Sequence, residues 1–150
     1  MPDGVRVQGR YDTDRFTAAL FDRLGIDRPA ALVRAVEIRL AEFLAGRAMA
    51  RIAQIALGHR PDAVGLGPDR APVWPAGQAG SISHARGHCA CFLQPSGTGA
   101  PGIDIEAIAG GRALDAILRM TLSEAEVELV QSAPDPAVAA TLAFSAKEAL

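Results

Sequence analysis

The amino-acid sequence predicts an α+β fold, and three features carry that expectation. Leu32, Val33, Val36, Leu40, Phe43, Leu44, Ile52, Ile55 and Ala56 recur at helical intervals and predict one long helix over 29–58. The run His88-Cys89-Ala90-Cys91-Phe92-Leu93 has the small, apolar character of a strand inside a sheet. Further along, a short strand over Gly102–Ile105 precedes two helices with strong start signals.

Each element has a local reason. Pro29 suits the first turn of the long helix, and Gly58 followed by Pro61 suits its end. From Pro61 to Gly80 the chain is dense in glycine and proline, so it reads as loop broken by short extended pieces. Gly80-Ser81-Ile82-Ser83-His84 reads as a small polar turn leading into the strand at 88–93. Pro95-Ser96-Gly97-Thr98-Gly99-Ala100-Pro101 is a compositional break, which predicts one subdomain over 1–98 and the start of a second over 99–150. Ser123 with Glu126 forms a capping-box pattern, and Asp135-Pro136 a cap followed by proline, so two helices begin there. The last helix has no stop signal before Leu150, and the chain is expected to be cut in mid-helix.

Bulk properties narrow the function. The chain has 150 residues, 49% of them hydrophobic and 21% charged, enough for a globular core. Its formal net charge of −2 argues against a general nucleic-acid binder while leaving room for a local basic pocket. Met1-Pro2-Asp3-Gly4 lacks the basic start of a signal peptide, and no stretch is apolar enough to span a membrane, so a cytoplasmic protein without a membrane partner is expected. Cys89 and Cys91 alternate onto one side of a strand, where a mutual disulfide would be strained; reduced, buried thiols are expected.

The chemistry-bearing residues fall into four groups. Asp104 and Glu106 share one face of their strand while Ile103 and Ile105 point inward, and two converging carboxylates suit a hard cation such as Mg²⁺ that completes its shell from water and phosphate. Phe144-Ser145-Ala146-Lys147-Glu148 adds a third carboxylate and a cation on the last helix. His84, beside a polar turn, is placed to hold a phosphate together with Ser83. Arg39, Arg47, Arg51 and Arg70 offer fork-shaped donors for phosphate, although Arg39 lies about 80° from Arg47 around the helix and only a broad face would use both. Zinc at His84, His88, Cys89 and Cys91 is disfavoured, because neighbouring strand residues point to opposite faces.

Read together, Glu42-Phe43-Leu44-Ala45-Gly46-Arg47, Trp74-Pro75-Ala76-Gly77, Gly80-Ser81-Ile82-Ser83-His84, Gly102-Ile103-Asp104-Ile105-Glu106 and Phe144-Ser145-Ala146-Lys147-Glu148 resemble the 4'-phosphopantetheinyl transferases of the surfactin and enterobactin type. The resemblance runs from about residue 30 to residue 150, with the five strings in the family's order. It implies two similar α+β subdomains arranged as a pseudo-dimer, the second incomplete in this chain. It also implies transfer of the 4'-phosphopantetheine arm of coenzyme A, with Mg²⁺, to a serine of an acyl or peptidyl carrier protein, releasing 3',5'-ADP. Asp104, Glu106 and Glu148 would hold the metal, and Arg39, Arg47, Arg70, Ser83 and His84 would contact coenzyme A. Glu148 would guide the serine proton, Lys147 would stabilise phosphate charge, and Trp74-Pro75 would shape the wall of the site.

Two rival readings are a noncatalytic fragment that binds coenzyme A or a carrier protein, and another Mg²⁺-dependent enzyme acting on a nucleotide phosphate. The absence of G-x-x-x-x-G-K-[ST] and of G-x-G-x-x-G counts against the commonest nucleotide cradles.

Overall fold

Val5 and Val7 alternate with Arg6 and Gln8, and in a computed structural model describing residues 4–150 this alternation becomes the edge strand β1, Val5–Arg10. Met1–Asp3, part of the N-terminal segment read for a signal peptide, lie outside the described residues. After β1 come a 3₁₀ turn at Thr13–Arg15 and the short helix α1, Ala19–Leu24, which ends on Gly25 in the left-handed region at φ 59°.

The long helix starts later than the apolar pattern predicts. Ala30–Leu32 forms a single 3₁₀ turn, Val36 is extended at ψ 153°, and helix α2 spans Glu37–Ala56. Val33 and Val36 are 60% and 71% exposed, so their apolar character continues the period without any core to face. Gly58 does close the helix, adopting φ 78°, while His59 N–H donates to the Gln54 carbonyl at 2.9 Å.

The glycine- and proline-rich stretch contains one two-stranded ribbon, β2 at Gly65–Leu66 against β3 at Pro72–Val73. Next, Gln78–Ala85 forms strand β4 and His88–Pro95 forms β5. The expected polar turn at 80–84 is therefore a strand, and the true turn is Arg86-Gly87, both at positive φ (48° and 79°). Two consecutive positive-φ residues give a turn whose twist matches an antiparallel hairpin, and the register pairs Ala85 with His88 and His84 with Cys89. β5 is the centre of a three-stranded antiparallel sheet, order β1-β5-β4. Its interior position explains the small residues, for Cys89, Ala90 and Cys91 are all buried.

Helix α2 packs across this sheet. Ala50 and Ala53 meet Cys91 and Leu93 in one core cluster, while Phe16, Phe21, Leu40, Phe43 and Leu44 form a second beneath α1. Phe21 stacks on Phe43 at 6.3 Å between ring centroids. Gln54, fully buried, donates to the Gln78 side chain at 2.9 Å and accepts from Asp62 N–H at 3.0 Å, so a loop and β4 are both tied to the helix. Trp74 donates through Nε1 to the Gly80 carbonyl at 2.8 Å, and its ring occupies the space a side chain at Gly80 would need.

By internal contacts the chain falls into two units, Met1–Ile103 and Asp104–Leu150. Across this boundary, residues 101–110 belong to no sheet, in contrast to the strand expected at Gly102–Ile105. Alternation can assign faces, but a strand also needs a ladder, and the two sheets among the described residues do not include this segment. The rest of the second unit is helical: α3 at Arg112–Met120, α4 at Glu124–Gln131 and α5 at Pro136–Glu148. Both predicted caps are present. Ser123 and Glu126 make the reciprocal capping box, and Asp135 accepts from Ala137 and Val138 N–H ahead of Pro136. Ile117, Val130 and Ala140 form its core, and the Thr141 hydroxyl accepts from Ala109 N–H at 2.9 Å. Among the described residues no helix is long and apolar enough to cross a membrane.

Cys89 and Cys91 are free and buried. Burial pushes the Cys89 thiol up to about 11 and the Cys91 thiol up to about 12, against an ordinary 9.0. Because the folded values lie above the unfolded one, the stabilisation is complete below pH 9.0 and is lost as pH climbs through 11 to 12. A Cys89→Ala, Cys91→Ala variant should therefore keep its circular dichroism signal to higher pH than the parent. The same alkaline midpoint in both proteins would refute this.

Candidate functional site

On α2 the spacing of Arg39 and Glu42 sets them on one side of the helix, and Arg39 Nη1 meets Glu42 Oε2 at 3.3 Å. Ile82 and His84 occupy the α2-facing side of β4. Gly46 permits the approach, since a Cβ there would come within 2.9 Å of Ile82 Cγ2. His84 is thereby brought against the pair: its Nε2 lies 3.2 Å from Arg39 Nη1 and its Nδ1 lies 3.7 Å from Glu42 Oε1. A guanidinium has no lone pair to accept with, so Arg39 donates and Nε2 accepts. The imidazole proton is then on Nδ1, facing the Glu42 carboxylate. Burial lowers the His84 pKa, with Arg39 lowering it further and Glu42 opposing both, so the ring is neutral at neutral pH.

The structure thus joins Arg39 and His84, two of the predicted ligand contacts, and adds Glu42, which no role was predicted for. The signal was present in the Arg39-x-x-Glu42 spacing, but only the strand assignment of 80–84 reveals its third member. An open recess of about 640 Å³ adjoins Glu42 and is lined also by Arg10, Tyr11 and Arg86.

The other predicted contacts are placed differently. Ser83 alternates with His84 along β4 and so faces the opposite side of the sheet; the turn that would have presented both to one phosphate is not formed. Arg70 is exposed in the turn joining β2 and β3, at φ 69°. Arg47 is buried and engaged internally. Its Nε donates to the Val64 carbonyl and its Nη2 to the Gly65 carbonyl, both at 2.7 Å, while the guanidinium lies 4.5 Å above the Phe43 ring. Desolvation brings its pKa down to about 10, leaving it charged at neutral pH. Arg51 is likewise occupied, donating to the Leu24 and Gly25 carbonyls. Between these arginines a cavity of about 370 Å³ opens, walled by Ile26, Phe43 and Pro61.

In the second unit, Lys147 does not pair with the adjacent Glu148. It reaches Glu126 at 2.7 Å and the Thr121 carbonyl at 2.9 Å, tying α5 to α4. The hydrogen bond from Lys147, with those from Ser123, holds the Glu126 carboxyl down at about 2. Glu106 and Glu148 are exposed. Among the described residues no group of three or more His, Cys, Asp or Glu side chains stands close enough to hold a metal ion, so Asp104, Glu106 and Glu148 do not form the gathered trio that the sequence led us to expect. Carboxylates are the donor class that suits Mg²⁺, and one or two of them suffice where phosphate oxygens and water complete its shell.

Comparison with known proteins relates the chain to a class of group-transferring enzymes. The profile of the 4'-phosphopantetheinyl transferase N-terminal domain matches residues 27–94, and that of the 4'-phosphopantetheinyl transferase superfamily matches residues 100–150. The chain is 35% identical over 113 residues to enterobactin synthase component D of Salmonella typhi, covering 75% of this chain and 47% of that protein. It is 39% identical over 62 residues to the 4'-phosphopantetheinyl transferase Npt of Nocardia iowensis, covering 41% of this chain and 28% of that protein. The chain belongs to the 4'-phosphopantetheinyl transferase superfamily, and it spans about half the length, or less, of these curated relatives.

Two variants check the internal ties. Arg47→Met should lower stability to urea by about 2–3 kcal/mol, because two inward-facing carbonyls lose their donor; a loss below about 0.5 kcal/mol would show that Arg47 is not holding the 64–65 segment. Lys147→Met should raise the Glu126 titration midpoint from about 2 toward the ordinary 4.5, read by carboxyl NMR. Since the folded value is depressed, any stability from this pair is present above pH 4.5 and lost as pH falls toward 2. An unmoved midpoint would remove the pairing.

Proposed function

We propose that this chain serves the transfer of the 4'-phosphopantetheine arm of coenzyme A to a serine hydroxyl of an acyl or peptidyl carrier protein, with release of 3',5'-ADP. The observation that carries the reading is the pairing of the two transferase profiles, in order, with the Arg39–Glu42–His84 cluster on the first of them. Such a cluster offers a cation and an imidazole edge to an anionic ligand beside an open recess whose charged lining is Arg10, Arg86, Asp12 and Glu42. We propose Arg39 and His84 as phosphate contacts on this geometry, and Ser83 and Arg70 on their motifs alone. Arg47 acts from behind them, as the support of the 64–65 segment.

The reaction attacks a phosphorus within a pyrophosphate, so it needs negative charge neutralised and one proton removed. Mg²⁺ supplies the first when bound, held by one or two of Asp104, Glu106 and Glu148 with phosphate oxygens and water. Glu148, exposed at the end of α5, is proposed to guide the serine proton. Lys147 would add charge to the phosphates only after leaving Glu126. Two similar subdomains in a pseudo-dimer, a cytoplasmic location and a role in siderophore or other secondary metabolism belong to the same proposal.

Mixing the chain with coenzyme A, Mg²⁺ and an apo-carrier protein should raise the carrier's mass by one phosphopantetheine group. Glu148→Gln should slow this at least 10²-fold, the scale on which a positioned proton acceptor contributes. Full activity in that variant would remove its role. Metal-dependent binding of coenzyme A without transfer would instead favour the noncatalytic reading.

A further inference from the structure

We propose that Glu42 is a positioning residue that makes phosphate binding at this site proceed with uptake of one proton onto His84. The inference rests on the phosphate-binding reading above.

The geometry leads to it in steps. Without ligand, Glu42 faces both partners, Arg39 Nη1 at 3.3 Å and His84 Nδ1 at 3.7 Å, while Arg39 also donates to His84 Nε2 at 3.2 Å. An arriving phosphate oxygen accepts hydrogen bonds, so it competes for the Arg39 N–H that now satisfies Nε2. Once Arg39 turns to the phosphate, Nε2 is a lone pair directed at an anion, which is unfavourable. Protonating Nε2 removes that conflict, because the imidazolium then donates to the phosphate through Nε2 and to Glu42 through Nδ1. The proton comes from solvent, and no bond other than N–H is made.

The surroundings leave Glu42 as the partner suited to that imidazolium. From α2 the charged groups facing His84 are Arg39 and Glu42. Across the hairpin lies Cys89, whose thiol is neutral at neutral pH. Tyr11, at the end of β1, senses the same Glu42 and Arg39; its pKa is raised, chiefly by burial, so its hydroxyl stays protonated. The side chains of Glu42 and His84 are each 24% exposed, open enough for exchange with solvent and sheltered enough for their charges to matter. The recess beside Glu42 is open to solvent, and its other charged residues are Arg10, Arg86 and Asp12.

The test is calorimetry of 3',5'-ADP binding to the 150-residue chain near neutral pH, in two buffers of different ionisation enthalpy. The expected result is a buffer-dependent heat corresponding to proton uptake approaching one per site, and affinity that falls up to about tenfold per pH unit as pH rises from neutrality. Glu42→Gln keeps shape and hydrogen bonding but removes the charge. It should bind about tenfold more weakly and lose most of the buffer dependence, while Glu42→Asp restores part of both. Binding in wild type with no buffer dependence overturns this inference and leaves the phosphate-site reading standing. The absence of binding in wild type overturns both, and wild-type linkage retained in Glu42→Gln assigns the proton to another group.

Discussion

The near contact between α2 and β4 at Gly46 is the constraint on which the candidate site depends. Any side chain there would run into Ile82. Because the helix lies that close to the strand, Glu42 one turn earlier and Arg39 two turns earlier reach His84 two positions along β4. The same packing puts Ala50 and Ala53 on Cys91 and Leu93, small residue against small residue. Core and site are therefore products of a single helix-on-sheet interface, and a change that lifts the helix to relieve one would disturb the other.

Polar side chains inside this interface are used mainly to hold irregular backbone. Arg47 ties the 64–65 segment to α2, Gln54 ties both Asp62 and β4, and Arg51 ties the end of α1. An arginine on an otherwise apolar helix face invites a ligand-binding reading. Here two of the three on α2 are committed to carbonyls of connecting segments, and Arg39 is the one whose partners are side chains.

Much of the fold was legible because local chemistry decided it. The capping box at Ser123, the cap and proline at Asp135-Pro136, and Gly58 at the end of α2 are signals read within a few residues, and the structure contains all three. The buried central strand was legible from its small residues. What could not be read depended on distant partners. Val33 and Val36 prolong an apolar period with nothing to cover them, so the helix begins at Glu37. Gly80–His84 looks like a turn because it is small and polar, yet Trp74 takes the space over Gly80 and β5 supplies its ladder. Likewise Lys147 has a neighbouring glutamate in sequence but a closer one, Glu126, in space. The acidic alternation at Asp104 and Glu106 is plain in the sequence, whereas the pairing and metal cluster inferred from it require neighbours that alternation does not specify.

Gln54 bears on how the chain avoids misfolding. Its amide is wholly enclosed and both of its ends are matched, one to Gln78 on β4 and the other to Asp62 N–H. Were β4 to slide by one residue, Gln78 would point to the opposite side of the sheet. The enclosed amide would then be stranded in a dry interior with its donor unanswered. An apolar residue at 54 would tolerate such a slip; glutamine penalises it, and so acts as a checkpoint for strand alignment.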